Sequence, residues 1–151
     1  IAEKFKNDDD YYIFQSYDDE SLFIKVPTAL ASGFVRPLLT KAEIEALISR
    51  IPSISSIELG KNSKGSEYKE LLDSGDHDDV VRVIKTAYVR SQERAERSQR
   101  PNENDKLYFR QAEKRLYDEI ACVLGMSFSE AKQLVVQKVK AISRPLALTT
   151  E

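Results

Sequence analysis

In a chain of 151 residues with a single His and a single Cys, nucleophilic and metal chemistry have few side chains to draw on. His77 stands among acids, in Asp76-His77-Asp78-Asp79, at what reads as a helix start. No second His or Cys stands at ligand spacing, so the expectation is a solvent-exposed first-turn residue. Cys122 falls near the apolar face of its helix with no cationic or His partner to lower its pKa, and a buried, inert thiol is expected. The acidic run Asp8-Asp9-Asp10 lacks the Gly and Glu spacing of a calcium loop, and neither a Gly-rich phosphate loop nor a nucleophile elbow occurs. These residues point away from an enzyme. No cofactor, metal or small-molecule substrate is expected.

Charge is the other chemistry the chain could use. The formal net charge is only −2, but it is unevenly spread: residues 1–20 sum to −5, whereas 82–100, with Arg82, Lys85, Arg90, Arg94, Arg97 and Arg100 against Glu93 and Glu96, sum to +4. A charge run on a helix most often only solvates a face; the other reading is a surface that meets phosphate. The lone Cys excludes an internal disulfide and fits a reducing, cytoplasmic setting. No apolar run approaches a membrane span, and no signal peptide is visible. Residue 1 is Ile rather than Met, so the chain is expected to begin inside a longer product.

The elements that must position these groups centre on residues 76–125. Val80, Val83, Ile84, Ala87 and Tyr88, then Tyr108, Ala112, Leu116, Ile120 and Leu124, step by three or four, the period of a helix that buries one side. Two such helices joined by a short polar link are expected to pack antiparallel. Asp76 suits an N-cap for the first, with Asp78 and Asp79 near its positive end, and Gly125 ends the second.

Around this pair, 10–16 (DYYIFQS) and 21–26 (SLFIKV) flank a polar turn and read as a hairpin, with Leu22, Ile24 and Val26 forming an apolar face and Pro27 stopping the ladder. Residues 28–39 read as a loop whose Leu30, Phe34, Val35 and Leu38 cap the small sheet. Thr40-Lys-Ala-Glu43 is a capping box opening a helix that buries Ile44, Leu47, Ile48 and Ile51 and ends at Pro52. Residues 53–66 read as an exposed linker or loop, 67–73 as a short helix closed by Gly75. Ser127-Phe-Ser-Glu130 is a second capping box, ahead of a helix with Ala131, Leu134, Val135, Val139 and Ile142 on one face, stopping before Pro145. The fold class is α+β: a small β module over 1–39, followed by an all-α domain over 40–151.

Tyr11-Tyr12-Ile13-Phe14, Leu22-Phe23-Ile24-Lys25-Val26-Pro27 and Gly33-Phe34-Val35-Arg36-Pro37-Leu38 together resemble the C-terminal half of the RNA-polymerase-interacting module of the CarD/CdnL bacterial transcription regulators, a Tudor-like fold shared with the transcription–repair coupling factor. The likeness continues through Tyr68-Lys69-Glu-Leu-Leu-Asp-Ser-Gly-Asp76, Val83-Ile84-Lys85-Thr86, Gln92-Glu93-Arg94 and Ala112-Glu-Lys-Arg-Leu-Tyr-Asp-Glu-Ile-Ala121, which resemble the family's helical domain. It spans roughly 10–143, and its weight comes from the order and spacing of short motifs.

The resemblance implies a non-enzymatic transcription regulator. Its β module would bind the β subunit of RNA polymerase through a strand edge at Lys25, Val26 and Pro27. Read without it, Lys25 is an exposed strand lysine that discourages aggregation. The helical domain would meet promoter DNA at the upstream edge of the bubble, with Lys61, Lys64, Lys69 and Lys106 as the DNA-facing cations. Family members wedge a Trp into the minor groove there; this chain has no Trp, and no aromatic residue lies in 57–65, so the wedge falls to Ile57 or Leu59. The family's opening strands are expected to lie ahead of Ile1. The alternative is a polymerase-binding adaptor without DNA binding.

Overall fold

The computed structural model describes residues 2–4, 10–16, 19–27, 37–60 and 63–143. The chain divides into two compact units, 1–38 and 39–151.

The first unit holds an antiparallel three-stranded sheet in the order β1 (Ala2–Lys4), β2 (Asp10–Gln15), β3 (Phe23–Pro27). The hairpin expected from 10–16 and 21–26 is present, with Tyr12 opposite Val26 and Phe14 opposite Ile24. Its turn is held locally: the Asp19 carboxylate accepts from the Ser21 hydroxyl and amide, and these two bonds pull its pKa down. β1 is an addition, paired with β2 from Ala2 opposite Tyr12 to Lys4 opposite Asp10. The apolar face expected of β3 is not buried. Phe23 and Ile24, on opposite faces, are 56% and 53% exposed, because strands this short cannot cover a sheet by themselves. Of the loop expected to cap the sheet, 28–36 lie outside the described residues and Leu38 is exposed.

The second unit is helical: α1 (Lys41–Arg50), α2 (Ser66–Asp73), α3 (His77–Glu96), α4 (Glu103–Leu124) and α5 (Phe128–Ser143). Both capping boxes form. Thr40 Oγ1 accepts from the Glu43 amide while the Glu43 carboxylate accepts from the Thr40 amide, and Ser127 and Glu130 do the same for α5. Asp76 caps α3 through the Asp78 amide, and Gly125, at φ +67°, closes α4. α1 passes into a 3₁₀ turn at Ile51–Ser53 that contains Pro52.

α3 and α4 run antiparallel, since His77 meets Glu119 at one end and Arg90 meets Asp105 at the other. Between them and the flanking helices lies one core, built on Ile44, Leu47, Ile48, Tyr68, Val83 and Ile120. Two expectations are corrected here. The segment after Ser53 is an irregular loop but not an exposed one throughout: Ile54 is buried, Ile57 and Leu59 are half-buried, and the Ile57 amide donates to Thr86 Oγ1 at 2.9 Å, because apolar residues every third or second position give this Ser-rich stretch something to dock with. Tyr88, assigned to the buried stripe of α3, is 54% exposed, one step past the face that Val80, Val83 and Ala87 define. Among the described residues no helix is long and apolar enough to cross a membrane.

Candidate nucleic-acid and partner interface

The residues around the α2–α4 contact carry most of the candidate DNA-facing lysines. α2 leans on the start of α4 through a buried polar cluster. Tyr68 Oη donates to Asp105 Oδ1 at 2.8 Å, and Arg90 Nε donates to the same carboxylate at 3.0 and 3.1 Å. The Asp105 amide in turn donates to the Asn102 side chain that caps α4. Asp105 is 2% exposed, so its charge is tolerable only because a guanidinium and a hydroxyl answer it. Burial first, then the bond to Asp105 and its negative charge, push the Tyr68 hydroxyl well above the ordinary phenol pKa.

The Tyr68 and Tyr108 rings stack at a tilt, centroids 5.5 Å apart. Gly65, at φ +93° just ahead of α2, lies so close to Tyr108 that a Cβ would stand 2.5 Å from the ring. Only glycine meets both conditions. Ser63 completes the approach to α2 by donating to the Glu67 carboxylate at 2.6 Å, the leading cause of that carboxyl's lowered pKa.

Three of the candidate cations are chain neighbours of residues in this cluster. Lys64 precedes Gly65, Lys69 follows Tyr68, and Lys106 follows Asp105; all three are exposed. Lys106 has Glu103 at 3.7 Å, a loose surface pair. Lys61 lies outside the described residues. Of the candidate wedge residues, Leu59 packs against the edge of the core and Ile57 is half-buried. In the sheet, Lys25 is exposed and Val26 and Pro27 are half-buried. Among the described residues β3 is a terminal strand, paired on one side with β2.

Further along the bundle, most cations are spent internally. Lys85 Nζ donates to the Ile51 and Ile54 carbonyls at the end of the 3₁₀ turn, the first of which also accepts the Ile54 amide, and desolvation lowers the lysine's pKa. Arg115 caps the end of α2 at the Leu72 carbonyl, Arg94 donates to the Arg100 carbonyl across the α3–α4 turn, and Arg50 and Arg82 pair with Asp78 and Asp79 at the start of α3. The +4 segment is therefore in part a set of caps and ion pairs.

The expectations for the two reactive side chains are both corrected. His77 is not solvent-exposed: its side chain is 14% exposed, and Nε2 lies 3.0 Å from Glu119 Oε1, a pairing that takes a proton on Nε2. Glu119 also accepts the Leu39 amide at 2.8 Å, so one carboxylate joins the α3 start, α4 and the first residue of the helical unit. Cys122 is exposed, because the buried face of α4 passes through Leu116, Ile120 and Ala121 and leaves the next residue outward. Among the described residues, no group of three or more His, Cys, Asp or Glu is arranged to hold a metal ion.

Sequence reasoning missed the Tyr68–Asp105–Arg90 cluster. The available signal was weak: Asp105 reads as an ordinary first-turn acid and Arg90 as one cation in a run. Compared with known protein families and with curated proteins, the chain matches no family model and no curated sequence.

Proposed function

We propose that this chain is a CarD-like, non-enzymatic transcription regulator of the bacterial cytoplasm, whose Tudor-like β module grips the β subunit of RNA polymerase and whose helical unit touches promoter DNA beside the transcription bubble. The observation that carries the reading is β3. Among the described residues it is the terminal strand of its sheet, it exposes Phe23, Ile24 and Lys25, and it ends at Pro27. Such an edge suits β-augmentation, in which backbone hydrogen bonds supply affinity and alternate side chains supply selection. The ordered motifs of the two units support the family, and the grouping of Lys64, Lys69 and Lys106 about the Tyr68–Asp105 contact supports a phosphate-facing surface. Tethering through polymerase raises the local DNA concentration, so a weak, nearly neutral DNA surface can still lengthen or shorten the life of the open complex.

The adaptor reading, with polymerase contact but no DNA contact, draws on a different observation: no Trp is present, and Ile57 and Leu59 are partly committed to the fold. Two measurements separate the outcomes. In pulldown with the polymerase β subunit, Lys25→Glu should abolish capture; capture unaffected by the substitution, or none by the parent chain, removes both readings. In fluorescence titration against a forked promoter duplex, affinity should fall steeply with salt, and Lys69→Glu and Lys106→Glu should each lower the salt slope by about one. Capture without any duplex binding leaves the adaptor.

A further inference from the structure

α3, α4 and α5 enclose an open groove of about 520 Å³. Its floor is apolar: Ile84 and Tyr88 come from α3, Phe109 and Leu116 from α4, Val136 and Val139 from α5. Tyr88 and Val136 remain 54% and 37% exposed, which is surface the bundle has not used. Two rows of side chains run along the groove. On α5 these are Lys132, Val136 and Lys140, on α3 Val81, Ile84, Lys85 and Tyr88, each stepping by a helical turn. The α5 row covers two turns, a rise of about 12 Å. A groove of that length, lined by helical rows, accepts a helix that presents anchors one and two turns apart.

The charge around the floor selects the sign of the partner. Lys132 and Lys140 stand at either end of the Val136 step, and the outer face of α5 continues with the uncharged Ser129, Gln133 and Gln137. The acid on the lining, Glu113, has a side chain 13% exposed and is tied to Lys132 at 2.8 Å. A positive rim in a chain of net charge −2 is a local preference. Phosphate backbones are a poorer match, because a nucleic-acid track needs rows of polar donors where this surface offers Tyr88, Phe109 and Val136.

We infer that this groove docks an acidic amphipathic helix of a partner protein, its apolar side on Tyr88, Phe109 and Val136 and its carboxylates against Lys132 and Lys140. None of the lining residues is among those proposed for polymerase or DNA contact, and the inference stands or falls independently of the transcription reading.

The test uses the full chain, ¹⁵N-labelled, titrated with a synthetic helical peptide of about 18 residues that carries Leu at i, i+4 and i+7 with Glu on both flanks. Amide shifts should cluster at Tyr88, Phe109, Val136 and Val139, with a Kd of roughly 10–100 µM. Val136→Glu should abolish them. Lys140→Glu should weaken binding about fivefold at low salt and strengthen binding of the matching Lys-flanked peptide. Both positions are on the surface, and the dispersion of the variant spectra checks that each still folds. Equal binding of the Glu- and Lys-flanked peptides overturns the proposal, as do shifts that miss these residues or displacement of the peptide by duplex DNA. Sedimentation as a dimer that Val136→Glu dissociates overturns it in favour of a self-interface.

Discussion

Asp105 is the side chain whose environment is hardest to replace. It lies below the surface with an arginine and a tyrosine both bound to its carboxylate. Asp105→Ala would strand both partners and should cost about 3 kcal/mol in urea unfolding. Tyr68→Phe removes one bond of the set and should cost about 1 kcal/mol. Because both changes act on one network, the cost of Tyr68→Phe should nearly vanish in the Asp105→Ala background, whereas additive costs would mean that the hydroxyl and carboxylate act separately. Tyr117 offers a pH test. Burial, with the Glu113 charge behind it, pushes its hydroxyl up to about 12. A phenol whose folded pKa lies above its unfolded value of about 10 stabilises fully below pH 10 and loses that contribution as pH rises to 12, by up to about 3 kcal/mol over two pKa intervals. The Tyr68 hydroxyl is raised too, so both tyrosines should steepen alkaline loss of stability. Tyr117→Phe should roughly halve the slope of unfolding free energy between pH 10 and 12, and an unchanged slope would refute this account. Neither cluster could be read from sequence, because the pairing of Tyr68 with a residue 37 positions away is a product of packing.

At the scale of elements, the helices were legible wherever period and punctuation agreed. The Thr40–Glu43 and Ser127–Glu130 boxes, Asp76 and Gly125 mark ends that the structure shares, and Ile44, Leu47, Ile48 and Ile51 are buried as their spacing required. β1 was not legible: Ala2-Glu3-Lys4 carries neither alternation nor β-branched residues, and pairing with β2 alone makes it a strand. Stripe margins also misled. Periodicity gives a direction but not the width of the buried face, and Tyr88, Ile142 and Cys122 fall beyond it. The end of α3 carries a further feature: Ser98 adopts φ +55°, the left-handed conformation that lets the Gln99 amide reach the Arg94 carbonyl at 2.8 Å. A side chain with a Cβ pays for that conformation, and Gly does not. Ser98→Gly should therefore raise thermal stability, by about 1 kcal/mol, and an unchanged or lower melting temperature would show that the turn is not strained.

At the scale of the molecule, the two units differ in what holds them. Among the described residues, the buried apolar core lies between Ile44 and Val135, and it is supported by cross-helix polar ties such as Glu119 with His77 and the Leu39 amide. The sheet has short strands and exposes Phe23 and Ile24. Strands so short, with side chains exposed on both faces, are marginal without a further surface to pack on. The division of labour we propose for the chain is compatible with that asymmetry: the helical unit can present fixed lysines, while the sheet gains most from a strand added at its edge. Residues 39–151 expressed alone should therefore keep helical circular dichroism and melt in one cooperative transition, within about 1 kcal/mol of the helical transition in the full chain. Residues 1–38 alone should show no cooperative transition, and should gain sheet signal and exchange protection only when the polymerase β subunit is added. A fragment 39–151 that fails to melt cooperatively would mean that the core from Ile44 to Val135 is not sufficient, and that the helical unit requires residues ahead of Leu39 to fold.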